Sequence, residues 1–103
     1  MIKESDIEKS ILEYLELRHI FAWKARTVGI WDAKIKAFRK NKGYMKGVAD
    51  ILGIYKGKPL AIEVKTQKGY PSEDQKYFLN KFREEGGIAF IARSIEDVDD
   101  SLK

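Results

Sequence analysis

Apolar residues first recur at helical spacing. Ile7, Ile11, Tyr14 and Leu15 mark one stripe, Leu12 widens it, and Arg18 continues its line. Ser5-Asp6-Ile7-Glu8 stands at its start with the form of a capping box, Ser5 as the cap and Glu8 three residues on. The pattern predicts a helix running to about Arg18. Ile20 to Arg26 then reads as a strand carrying Phe21 and Trp23, with Trp23 in the core. Residues 27 to 46 have no clear period and are interrupted by Gly29, Asp32, Asn41 and Gly43. They predict a long loop or an irregular hairpin, with room for a short helical piece around Ala33 to Lys40. Val48 to Tyr55 and Leu60 to Lys65 form a hairpin around Lys56-Gly57-Lys58-Pro59. Ser72-Glu73-Asp74-Gln75 opens a second helix with a second capping box, Phe78, Leu79 and Phe82 supply its buried stripe, and Gly86-Gly87 ends it. Ile88 to Ala92 is a short apolar strand, and Ser94 caps a last short helix.

The predicted order is αβββαβα, with no repeat and no linker, so residues 1–103 form a single domain. A helix joining the Leu60–Lys65 strand to the Ile88–Ala92 strand is a crossover, which predicts a parallel pair with a right-handed connection. The fold class is α/β: a small mixed β-sheet flanked by helices.

Composition narrows the chemistry. The chain has no cysteine and a single histidine, His19, which excludes thiol catalysis and any cysteine or multi-histidine metal site. Oxygen donors remain, and these favour Mg²⁺, Mn²⁺ or Ca²⁺. His19 closes the first helix, where a dipole contact or plain surface placement is expected. No apolar run reaches about 18 residues and no signal-peptide core is visible, so a soluble, intracellular, cytoplasmic protein without membrane association is expected. The core of so short a chain is modest, which favours oligomerisation.

The net charge of +4 conceals an asymmetry. Residues 24 to 68 hold twelve Lys/Arg against three acids, Asp32, Asp50 and Glu63. Eight of those basic residues fall early: Lys24, Arg26, Lys34, Lys36, Arg39, Lys40, Lys42 and Lys46. Such a block is either a solvated surface or a contact for a polyanion, and nucleic acid is the usual one. Trp31 and Tyr44 lie within it and could stack on an unpaired base, although Trp31 also suits a loop anchor.

Three side chains carry the candidate chemistry. Alternation along the strand places Glu63 and Lys65 on one face and turns Val64 to the other. Asp50, at the start of the partner strand, reaches the same place. Two carboxylates and an ammonium suit a hard divalent cation beside a phosphate. The plain alternative is two solvated acids and a weak Glu63–Lys65 ion pair. Against it, Glu63 interrupts the apolar run Leu60-Ala61-Ile62-Glu63-Val64, where an unpaired charge is costly.

In order, a helix-one Glu, Gly47-Val48-Ala49-Asp50, Ile62-Glu63-Val64-Lys65, Ser72-x-x-Gln75 and Gly86-Gly87 resemble the VRR-Nuc family of the PD-(D/E)xK nuclease superfamily. Archaeal Holliday-junction resolvases share the Glu…Asp…ExK order. Ala49 departs from the superfamily's proline, which shapes backbone and binds no metal. The resemblance implies a restriction-endonuclease-like core. It implies Asp50, Glu63, Glu8 and the Val64 carbonyl as ligands of Mg²⁺ or Mn²⁺, with Lys65 and Gln75 also catalytic. Glu8 and Gln75 each occupy the third position of a capping box, so for both a structural role competes, and Glu4 competes with Glu8 as the helix-one acid. The activity implied is hydrolysis of DNA phosphodiester bonds, duplex or branched, by a homodimer acting on substrates such as four-way junctions. The size of the domain suggests a stand-alone, phage-encoded type. A module that binds nucleic acid without cutting it, and an assembly protein with an incidental acidic pair, are the alternatives.

Overall fold

The computed structural model describes residues 2–25, 30–32, 37–39 and 45–103. Helix α1 (Glu4–Leu17) starts earlier than its sequence suggests. Its N-cap is Lys3, whose backbone N–H donates to Asp6 Oδ2 at 3.4 Å. Asp6 therefore takes the capping role expected of Glu8, and Ser5 lies inside the helix. The competing acid is two residues closer to the chain start, which is enough to shift the cap.

The helix ends in a Schellman motif. Ile20 N–H donates to the Leu15 carbonyl and His19 N–H to that of Glu16, both at 2.9 Å. His19 occupies the left-handed position of this motif, with φ 58°, where glycine is the usual residue. Helix α2 (Glu73–Glu84) ends in the same way, with Gly86 in that position at φ 92°. Ser94 caps α3 (Ile95–Ser101) by accepting from Asp97 N–H.

Strands β1 (Phe21–Lys24), β4 (Ile51–Tyr55), β5 (Lys58–Val64) and β6 (Ile88–Ala92) form one sheet in the order β1-β4-β5-β6. Strand β4 pairs antiparallel with β1 and β5, and β5 pairs parallel with β6. The mixed sheet and the parallel pair follow the sequence expectation. The β4–β5 turn has only two central residues, Lys56 (φ 50°) and Gly57 (φ 82°), both left-handed as a type I′ hairpin requires. Strands β2 (Ile30–Asp32) and β3 (Ala37–Arg39) form a separate antiparallel hairpin. The hairpin alternative for this segment is thus realised. A helical piece is not present at 37–39; positions 33–36 and 40 lie outside the described residues.

Helices cover both sheet faces. On one, Ile11 and Leu15 of α1, with Val98 and Leu102, pack on Ile51, Leu60, Ile62, Val64 and Ala92. On the other, Phe78 and Leu79 of α2 pack on Ala49, Ala61 and Ala89. Small residues at these three positions let α2 lie close to the sheet. Each large side chain buried here contributes about 1.5–3 kcal/mol relative to exposure. Trp23 departs from its expected core position and is 43% exposed. Its register partner is Leu52, so it stands on the α2 face of edge strand β1, whereas α2 itself contacts β5 and β6.

Candidate metal centre

Position along β5 decides which side chains meet. Leu60, Ile62 and Val64 belong to the α1 side of the core, and Ala61 to the α2 side. Glu63 and Lys65 therefore emerge on the α2 side at the end of the strand. Asp50 lies in the bend before β4, and Ala25 N–H holds its carbonyl at 2.8 Å. The Asp50 carboxylate is oriented by the neighbouring strand: Oδ2 accepts from Val64 N–H at 2.8 Å. That bond ties Asp50 to the residue between Glu63 and Lys65.

Glu63 is only 2% exposed, an unusual burial for a carboxylate. Its Oε2 lies 3.6 Å from Lys65 Nζ, and its Oε1 is buried without a hydrogen-bond partner. Burial pushes the Glu63 carboxyl up to about 8. The negative Asp50 carboxylate and hydrogen bonding to it push the same way, and Lys65 opposes them. A hydrogen bond between two facing carboxyls requires a proton on one of them; with both ionised, the pair has repulsion and an empty Oε1. A divalent cation would replace that proton and satisfy the orphaned oxygen. The donor set, carboxylate and carbonyl oxygens alone, suits Mg²⁺ or Mn²⁺.

Glu8 is freed from the helix cap and is mostly buried, its side chain 12% exposed. Its Oε1 sits 3.4 Å from Lys24 Nζ but makes no hydrogen bond. Among the described residues, Glu8 Oε1 and Glu63 Oε1 are the buried side-chain polar atoms without a hydrogen-bond partner. Lys24 pairs with Ile51, the residue after Asp50, so Glu8 and its lysine stand at the same end of the sheet as the carboxylate pair. Glu8 does not join that pair in a three-acid cluster; none occurs among the described residues. Glu4 is exposed.

Gln75 makes both bonds of its capping box. Its Oε1 accepts from Ser72 N–H at 2.8 Å, and its own N–H donates to Ser72 Oγ at 3.2 Å. Only its amide NH₂ is left to serve a substrate. Gly47, read in sequence only as part of a motif, sets the position of this helix start. A Cβ there would lie 2.4 Å from the Asp74 carbonyl carbon, and φ is 77°. The Gly47 backbone thus abuts the first turn of α2, which brings Gln75 beside the loop leading to Asp50. Of the eight early basic residues, Lys24 and Lys46 are described with side chains and both are exposed. Arg39 lies in β3; Arg26, Lys34, Lys36, Lys40 and Lys42 lie outside the described residues.

No protein-family model matches the sequence, and no curated protein does. Among solved structures, one described as a VRR_NUC domain protein superposes with a TM-score of 0.71 at 19% identity, over 95% of this chain and 83% of that one. The fold is that of a VRR_NUC domain. The small mixed α/β arrangement, a four-stranded sheet with three helices, agrees with the restriction-endonuclease-like core that the motifs implied. The facing carboxylates lie where the start of β4 meets the end of β5, at the end of the hairpin away from its turn. No helix among the described residues is long and apolar enough to cross a membrane.

Proposed function

We propose that this chain is a divalent-metal-dependent DNA endonuclease. The observation that carries the reading is the Asp50–Glu63 pair, in which Glu63 Oε1 is buried and unpartnered while Oε2 lies 3.6 Å from the Lys65 ammonium. Asp50, Glu63 and the Val64 carbonyl would hold Mg²⁺ or Mn²⁺, with Glu8 assisting through water. Such a cation supplies Lewis acidity toward a phosphoryl oxygen and makes water a better nucleophile.

The residues of the chain do the rest. Val64 N–H holds Asp50 Oδ2 and so fixes the carboxylate, and Oδ1 is the oxygen that would bind the cation. Glu63 is held by its burial in β5 with no freedom to swing into solvent. Lys65 holds its positive charge beside Glu63, where it would face the attacking water and the scissile phosphate and offset the charge that builds on the phosphate in the transition state. The Gln75 amide adds a donor at the edge of the site. Lys24, Lys46 and the other early basic residues grip the phosphate backbone, which carries no sequence information. Recognition is therefore by shape, and a homodimer with two such sites would make paired nicks in branched DNA such as a four-way junction. A soluble, cytoplasmic setting, phage-encoded in a bacterial host, accords with this role.

The test is cleavage of duplex, flap, fork and four-way-junction DNA in Mg²⁺ and in Mn²⁺, with EDTA as control. Metal-dependent cutting that favours the junction is expected. Binding without cutting in either metal would leave a nucleic-acid-binding module in place of the enzyme.

A further inference from the structure

We propose that Arg93 is a positioning residue for Lys65, acting through the turn that follows it. The inference rests on the nuclease reading above, since it assigns Lys65 a role in turnover. Arg93 lies just past β6, and its backbone N–H donates to Asp97 Oδ2 at 2.8 Å, which fixes its start. Its guanidinium reaches back across the sheet end. Nη1 donates to the Thr66 carbonyl and, at 2.6 Å, to the Gly69 carbonyl. Its Cζ lies 5.7 Å from the centroid of the Tyr70 ring. One guanidinium thus holds both ends of the turn closed by Gly69 N–H donating to Thr66 O at 3.1 Å.

That turn lies against Lys65. A Cβ built on Gly69 would sit 3.5 Å from Lys65 Cδ, so the Gly69 backbone lines the lysine stem. Lys65 N–H donates to the Ala92 carbonyl at 3.1 Å, and its ammonium lies 3.6 Å from Glu63 Oε2. The lysine is therefore fixed at its backbone by β6, along its stem by the turn and at its tip by Glu63. Its side chain is 12% exposed. A lysine stem has four rotatable bonds, and free in water it samples many rotamers. Closing the turn over the stem removes that freedom before substrate arrives, which is preorganisation of a charge at the reacting centre. Arginine suits the task because the two N–H groups of Nη1 serve the two carbonyls while the rest of the guanidinium, held rigid and planar, lies near the Tyr70 ring; a lysine could reach the carbonyls but would lack that planar, preorganised group.

The experiment is a double-mutant cycle on the full chain. Single-turnover cleavage, DNA affinity in Ca²⁺, Mn²⁺ affinity by calorimetry, and hydrogen exchange of the Gly69 amide in the metal-free protein are measured for Arg93→Ala, Arg93→Lys, Lys65→Ala and Arg93→Ala with Lys65→Ala. A misplacement of about 1 Å costs on the order of 10²-fold in rate, so Arg93→Ala should lower the cleavage rate roughly 10- to 10²-fold. DNA and Mn²⁺ affinities should stay unchanged, and Gly69 exchange should quicken. Arg93→Lys should fall between wild type and Arg93→Ala in both rate and exchange. In the Lys65→Ala background, Arg93→Ala should cost under about twofold, because the residue it positions is gone. A full-sized rate loss in that background would overturn the proposal, as would weakened DNA binding with an unchanged rate, which would make Arg93 a phosphate contact. Loss of cooperative melting in both Arg93 variants would assign the residue to folding and also overturn it. If wild type cuts no DNA while Gly69 exchange responds as described, the nuclease reading fails and the clamp on the turn stands.

Discussion

Removing the charge of Glu63 should stabilise the metal-free protein, and the gain should depend on pH. An unfolded glutamate titrates near 4.3, whereas in the fold the Glu63 carboxyl is pushed up to about 8. Between these values the folded chain holds a proton that the unfolded chain has lost. Stability then falls as pH rises through this window and levels off above about 8. At 1.36 kcal/mol per pKa unit the ceiling is about 5 kcal/mol, and local relaxation with water entry reduces it to about 2–4 kcal/mol. Glu63→Gln keeps the shape, carries no charge and can donate to Asp50. In EDTA at pH 8.5 it should therefore melt about 10 °C or more above wild type. At pH 4.5 the two should melt within about 2 °C, since the wild-type carboxyl is then neutral when folded. Mn²⁺ at pH 8.5 should reverse the order by stabilising only the wild type. The assay is a set of calorimetric scans from pH 4.5 to 9. An unchanged or lowered melting temperature for Glu63→Gln at pH 8.5, or a gain of equal size at pH 4.5, would refute the argument that a buried like-charge pair awaits a cation.

Other expectations rest on the site, on the end of α1 and on the charge of the early basic residues. Lys65→Ala should retain Mn²⁺ binding in calorimetry and lose about 10²-fold or more in turnover, the scale for losing one electrostatic stabiliser; loss of metal binding would make Lys65 structural. His19→Gly should raise stability to chemical denaturation by about 0.5–1 kcal/mol, because it relieves a left-handed non-glycine residue at the end of α1; no gain would mean that the His19 side chain offsets its backbone strain. Changing Lys36, Arg39 and Lys40 together to Ala should flatten the slope of log K against log salt for DNA by about 2 to 3, measured in Ca²⁺, at roughly 0.9 per phosphate contact; an unchanged slope would place the DNA elsewhere.

Local signals are legible where they are chemically specific. Ser72 with Gln75, Gly86 at a helix end, and a helix between two apolar strands each leave little choice of geometry, and β6 keeps its predicted bounds, Ile88–Ala92. The capping box at α1 failed because Asp6, two residues before Glu8, could serve an earlier cap, and sequence spacing does not rank the two. That failure bears on the site, since it removes the structural explanation for Glu8. Trp23 is exposed where the pattern predicts burial, because alternation shows which residues share a face but not whether a helix covers that face over an edge strand. The convergence of Asp50, Glu63 and Lys65 was legible from hairpin alternation alone. The fit of Gly47 against α2 and the reach of Arg93 to the turn after Lys65 were not, because both contacts join segments more than twenty residues apart with no motif to link them.

The most direct test of the central claim is nicking of supercoiled plasmid in Mn²⁺ by wild type and by Asp50→Asn. Asparagine can still accept the Val64 N–H through its carbonyl oxygen, so the backbone tie seen at 2.8 Å is kept while the charge offered to the cation is lost. The account predicts nicking by wild type that EDTA abolishes, and none above the EDTA background for Asp50→Asn at an unchanged or higher melting temperature. Nicking by Asp50→Asn at the wild-type rate would contradict it.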